Sequence, residues 1–222
     1  MIISHEHPAY KTGGTGRWNG AFYYSVEICR DIIPRVRTGR SWITINIPEA
    51  GACDGAIVFI HNNLHPEMYD WLRGFKDLIL VCGIPETVEK MQHLGRAVYL
   101  PLSVNVEEVR QYAKPKTKDV AFAGRRPKRK GITFPENTDF LEGMPREELL
   151  GKMAEYRHVF AVGRTAIEAR ILGCNILAYD PRFPDPDRWE VLDNKDAAKI
   201  LQKLIDKEDR KMAVKVGHAR IS

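Results

Sequence analysis

Six short runs of consecutive apolar residues, none alternating with polar ones, limit what this chain can become. They are Ala56-Ile57-Val58-Phe59-Ile60, Leu78-Ile79-Leu80-Val81-Cys82, Ala97-Val98-Tyr99-Leu100, Val120-Ala121-Phe122-Ala123, Val159-Phe160-Ala161-Val162 and Ile176-Leu177-Ala178-Tyr179. A strand with one face in water alternates apolar with polar residues, whereas one covered on both faces is apolar throughout. The runs therefore predict parallel sheet between layers of helix. Helices are predicted in the intervals: 18–33, stopped near Pro34; 66–73 and 85–94, each opened by a proline suited to a first turn; 145–156; and 165–172, ending at Gly173. A last helix carries Ala197, Ile200, Leu201, Leu204 and Ile205 on one stripe. Strand and helix alternate throughout, which predicts an α/β fold.

A strand ends at Pro101, polar and basic residues follow, and a fresh strand begins at Val120. The chain is accordingly expected to form two Rossmann-like domains, 1–105 and 106–222, each large enough for its own core. With 44% hydrophobic and 28% charged residues, low-complexity and wholly disordered classes are excluded. No stretch approaches the roughly 18 apolar residues of a membrane span, and Met1-Ile2-Ile3-Ser4-His5-Glu6-His7 lacks the layout of a signal peptide. Cys29, Cys53, Cys82 and Cys174 form no CxxC pair, so reduced buried thiols, no metal site and a cytoplasmic location are expected.

Charge is concentrated in one place. Residues 110–130 hold nine basic side chains against a single acid, Asp119; this local excess of +8 in a chain of net +5 leaves −3 for the remainder. Such a segment suits a polyanion, whether a nucleotide diphosphate or a nucleic-acid backbone. Part of it, Lys114 to Lys118, reads equally as a solvated linker.

Four motifs bear on chemistry. Lys11-Thr12-Gly13-Gly14-Thr15-Gly16-Arg17 has three glycines ahead of a helix; it suits close approach to an anion, or an ordinary loop. His61, directly after the run at 56–60, sits where ligands meet parallel strands, and His5, Glu6 and His7 follow the opening strand. Gly124-Arg125-Arg126-Pro127-Lys128-Arg129-Lys130-Gly131 puts guanidinium and ammonium groups after a buried strand, where they suit phosphate oxygens. Gly163-Arg164-Thr165-Ala166-Ile167-Glu168 turns from a strand into a helix. Glu168, expected in the first helical turn, either accepts from vicinal hydroxyls such as those of ribose or complements the helix dipole.

The last two motifs, in this order, resemble those of the nucleotide-sugar-dependent glycosyltransferases with two facing Rossmann-like domains, the GT-B fold. Gly124-Arg125 and Lys130-Gly131 match the opening of that family's second domain; Gly163, Thr165, Glu168-Ala169 and Gly173 match its later glycine, hydroxyl, glutamate and helix. Asp54 and His61 are similar to the family's Asp-strand-His segment, and Pro101-Leu102-Ser103-Val104-Asn105 to its interdomain approach. The resemblance covers roughly residues 1–205. Many retaining members carry an earlier glutamate where this chain has Phe160.

The resemblance implies a compact α/β protein of two facing Rossmann-like domains with parallel sheets. The first domain would take the acceptor and the second the donor. Arg125 and Lys130 would hold the donor diphosphate, with Gly163, Arg164 and Thr165 contributing further contacts and Glu168 binding ribose. Gly13 and Gly14 would form the loop at the cleft. His61, His5 or Glu6 would serve the transfer chemistry, with Asp54 and His7 as further bases. It implies no metal and no cofactor beyond the nucleotide-diphosphate sugar as co-substrate. The function expected is transfer of a sugar to a hydroxyl acceptor, with a modified base in DNA as one candidate. The alternative expectation is a non-catalytic module binding nucleotides or nucleic acid through residues 110–130.

Overall fold

The computed structural model describes residues 2–3, 20–44, 54–60, 66–124 and 132–219. The chain divides into two units, Met1–Pro101 together with Asn194–Ser222, and Leu102–Asp193. Each is built on an all-parallel sheet, so the predicted α/β class with Rossmann-like parallel sheets is what the chain forms.

In the first unit the strands run in sequence order: β1 (Ile2–Ile3), β2 (Trp42–Ile43), β3 (Ile57–Ile60), β4 (Ile79–Cys82) and β5 (Arg96–Tyr99). Every residue of β3 and β4 is buried, as unbroken apolar runs require. Val58, Leu80 and Ala97 align across three strands and face α2 (Pro66–Arg73) and α3 (Pro85–Met91), where Leu72 and Met91 complete a core with Ile43, Ile60 and Cys82. On the other face the Trp42 ring stacks on Phe59 at 6.2 Å and Tyr24 meets Phe59 edge-on at 6.4 Å. Tyr24 lies on α1 (Gly20–Glu27), which continues as a π turn over Ile28–Ile32 and a 3₁₀ turn over Ile33–Arg35. Each fully buried Ile, Leu or Phe contributes about 1.5–3 kcal/mol, so these two faces supply most of the unit's stability.

The last helix, α7 (Asn194–Ala219), belongs to this first unit, which corrects the expected division at 105/106 for residues 194–222. Its stripe of Ala197, Ala198, Leu201 and Ile205 is buried, and it packs on the π turn. Polar contacts fix its register. Asn194 Nδ2 donates to Glu27 Oε2 at 2.9 Å, Gln202 bonds both backbone groups of Arg37, and Arg40 Nη2 reaches Asp209 Oδ1 at 2.7 Å. An amphipathic stripe says that a helix must be covered, not by what.

The second unit contains α4 (Val106–Arg110), β6 (Lys118–Ala123), β7 (Asp139–Leu141), α5 (Arg146–Met153), β8 (Tyr156–Phe160), α6 (Arg164–Ile171) and β9 (Asn175–Leu177). Its sheet order is β7-β6-β8-β9. The chain therefore leaves β6 in one direction to form β7, then crosses back to form β8 on the other side. That reversal opens a crevice outside the carboxyl ends of β6 and β8, the place where open α/β sheets bind ligands.

Candidate functional site

Both phosphate-type motifs stand on the two strands that flank this crevice. Phe122 of β6 pairs with Phe160 of β8, so the residues that follow each strand emerge side by side. Gly124 comes one residue after β6 with φ +133°, and a Cβ added there meets no atom of the described residues within 4 Å. Gly163 caps α6 with φ +63°, a conformation any side chain would strain. Both corners place glycine backbone at the strand ends that flank the crevice, with Leu102 Cδ1 3.8 Å from where a Cβ on Gly163 would stand. Arg125 and Lys130, which follow Gly124, lie outside the described residues, as do His5, Glu6, His7, Gly13, Gly14 and His61.

Helix α6 starts at Arg164, which puts Glu168 at its fifth position, in the second turn rather than the expected first. Dipole stabilisation fades beyond the first turn, so the electrostatic explanation for Glu168 loses its basis. Its carboxylate instead faces arginines. Arg146 Nε donates to Glu168 Oε1 at 3.1 Å, Arg146 Nη2 lies 3.0 Å from that oxygen, and Arg164 Nη2 lies 3.7 Å from it. Arg146 Nη1 also donates to Glu108 Oε1 on α4. Arg164 Nε donates to the Ser103 carbonyl at 3.2 Å. Glu168 is 5% exposed, so an unpaired carboxylate here would be costly, and the arginines supply what water cannot. Thr165, the second residue of the helix, is half-buried.

Arg146 and Glu108 are additions to the site that the sequence reading missed. A signal existed for both. Arg146 opens a helix whose next two residues are acidic, a placement the dipole disfavours unless a carboxylate is near. Asn105 and Glu108 have helix-start spacing, and the Asn105 side chain accepts from the Glu108 amide at 3.1 Å. Ser103, whose Oγ is buried with no hydrogen-bond partner among the described residues, lies in the Pro101–Asn105 segment that the resemblance singles out.

The basic segment is partly committed to the fold. Lys116 Nζ donates to the carbonyls of Ala154 at 2.8 Å and Leu172 at 2.7 Å, the residues that end α5 and α6. One ammonium thereby satisfies orphan carbonyls and opposes the negative dipole ends of two helices. Lys114 and Lys118 each lie 3.1 Å from Glu155, whose carboxyl those hydrogen bonds hold below its usual range. Lys116 is thus built into the fold, while Lys114 and Lys118 remain exposed beside Glu155.

Asp54, expected as a further base, precedes β3 at the amino end of the strand, whereas ligands meet parallel strands at their carboxyl ends. Its Oδ1 accepts from the amide of Lys76, 22 residues on, at 2.7 Å. Phe160, the position to which the resemblance assigns an earlier glutamate, packs against Phe134 at 5.2 Å. Phe134 also meets Phe122, Phe140 and Tyr179 at 5.0, 5.5 and 5.8 Å. A helix normally joins such parallel strands and covers the sheet; among the described residues between β6 and β7 there is none, and this ring cluster occupies that face.

Among the described residues Cys29, Cys82 and Cys174 form no disulfide; Cys82 and Cys174 are buried and Cys29 half-buried, and burial pushes Cys82 up to about 12. Among the described residues no group of three or more His, Cys, Asp or Glu side chains is placed to hold a metal ion, and no helix is long and apolar enough to cross a membrane. Compared with protein-family models, curated proteins and solved structures, the chain has no match.

Proposed function

We propose that this chain is a glycosyltransferase that uses a nucleotide-diphosphate sugar, with the second unit as its donor-binding unit. The observation that carries the proposal is the pair of positive-φ glycine corners, Gly124 and Gly163, at the carboxyl ends of β6 and β8 on either side of the strand-order reversal. A nucleotide needs close backbone approach for its phosphates and a carboxylate for its ribose hydroxyls. Gly163 supplies the first, and Glu168, one helical turn inside α6, the second.

In this scheme the diphosphate meets the start of α6, with Arg164 and the Thr165 hydroxyl beside it. Arg125 and Lys130 offset the charge that develops on the leaving nucleoside diphosphate as the sugar–oxygen bond breaks. Cationic side chains then take the part a divalent metal plays elsewhere. His61, His5 or Glu6 accepts the proton of the acceptor hydroxyl as that oxygen attacks the sugar carbon. A hydroxyl on a modified DNA base is one acceptor that fits a chain with a basic segment.

A second reading, a nucleotide- or nucleic-acid-binding module without chemistry, is favoured by one observation: a packed phenylalanine stands where many retaining relatives of the family place a carboxylate. A thermal-shift panel separates the two. Nucleoside diphosphates and their sugars are tested with and without duplex DNA. A ligand present at 100 times its dissociation constant adds about 2.7 kcal/mol to stability. The transferase reading expects a response to a nucleotide sugar, followed by turnover with a hydroxyl acceptor. A response to DNA alone, falling steeply with salt, selects the binding module.

A further inference from the structure

Arg146 stands between carboxylates from two other helices. Two of its nitrogens meet Glu168 Oε1 at 3.1 and 3.0 Å, and the third donates to Glu108. The Arg146 and Glu168 side chains are 10% and 6% exposed, so neither is free to wander. The four charges of Arg146, Arg164, Glu108 and Glu168 cancel, and the cluster therefore offers little net attraction to a bare anion. What it offers is an oriented oxygen. Among the described residues every partner of the Glu168 carboxylate sits on Oε1, which leaves Oε2 to accept.

We infer that Arg146 is a positioning residue that makes the site select a nucleoside diphosphate over bare pyrophosphate by locking the Glu168 carboxylate toward a vicinal diol. The inference rests on the donor-site reading above. Arg146 does not touch the ligand. It fixes one oxygen of Glu168 so that the other meets ribose without first losing side-chain freedom. Glu108 holds the guanidinium from its other end and so keeps Arg146 from serving as a phosphate contact itself.

The test is isothermal titration of the full chain with the common ribonucleoside diphosphates and with pyrophosphate, using wild type, Arg146→Lys, Glu108→Gln, Glu168→Gln and the Arg146→Lys/Glu168→Gln double variant. Arg146→Lys is expected to lower the preference for the best nucleoside diphosphate over pyrophosphate by about tenfold, the equivalent of one charge-assisted hydrogen bond. In the Glu168→Gln background the same change is expected to do nothing further, because both act through one carboxylate. Glu108→Gln adds a positive charge to the cluster and is expected to tighten pyrophosphate binding without lowering ribose-dependent affinity. It also keeps the inference testable if Arg146→Lys fails to fold.

An unchanged preference in Arg146→Lys, with wild type binding normally, overturns the inference and leaves the donor site standing. Additive losses in the double variant overturn it too, as does a Glu108→Gln variant that loses nucleoside diphosphate and pyrophosphate equally. If no nucleoside diphosphate binds wild type, the donor-site reading itself fails and the inference falls with it.

Discussion

The ammonium of Lys116 lies 3.2 Å from the sulfur of Cys174, at a point where two helices end. The same nitrogen bonds the carbonyls of Ala154 and Leu172, and the thiol donates to the Met153 carbonyl at 3.5 Å. One lysine thus ties its own segment to the end of α5 and to the turn at 172–174. Replacing Lys116 by Met is therefore expected to lower stability by about 3 kcal/mol, since it strands two buried helix-end carbonyls as well as removing charge-assisted bonds. Urea unfolding measures this. Lys114→Met, which loses only an exposed pair, is expected to change stability by less than about 1 kcal/mol.

Burial raises the pKa of Cys82 from 9.0 to about 12 and that of Tyr179 from 10.0 to about 12, and it also raises Cys174. In all three the folded state favours the neutral form. The stability these groups contribute is thus whole below pH 9 and is lost as pH rises from 9 toward 12. The urea midpoint is expected to fall across that window. At pH 8, Cys82 and Cys174 are expected to resist a thiol reagent until the chain is unfolded. Reaction at a rate independent of denaturant would count against their burial.

The Phe134 ring touches four others, whereas Phe140 is 38% exposed. Truncating Phe134, which is half-buried, to Ala is expected to cost about 2 kcal/mol, less than a fully buried phenylalanine, and Phe140→Ala about 1 kcal/mol. Phe160→Glu is expected to destabilise the second unit, because it puts a charge among aromatic rings. Circular dichroism with thermal melting distinguishes these outcomes.

Strands β3 and β4 were legible because burial on both faces leaves an unbroken apolar run. The runs at 97–100 and 176–179 also marked strands, but β5 and β9 are only partly buried, with Tyr99 43% exposed. Strand β2 was missed because it spans only Trp42–Ile43. Helix α4 was missed because its five residues give no period to read. The expected helix over 18–33 was right to end near Pro34, but its ladder changes earlier: the Ile33 amide bonds Ile28 five residues back, and a 3₁₀ turn accommodates the proline. At the site, the glycines were readable as corners, since only they take the required φ. The Arg146–Glu168 pair was not, because its partners come from different helices and only the crossover between β7 and β8 sets them beside each other. Gly163 as cap also moved the helix start forward by one residue, enough to shift Glu168 out of the first turn.

The central claim is that Glu168 recognises ribose at a donor site. Paired titrations of wild type and Glu168→Gln with a nucleoside diphosphate and with pyrophosphate test it most directly. The substitution keeps shape but replaces a charged acceptor by a neutral one. The account predicts that nucleoside diphosphate affinity falls by about tenfold or more while pyrophosphate affinity stays within about twofold, as expected for loss of a charge-assisted bond to a hydroxyl. Equal losses for the two ligands, or none for either with only a lower melting temperature, would contradict it and leave Glu168 as a structural partner of Arg146.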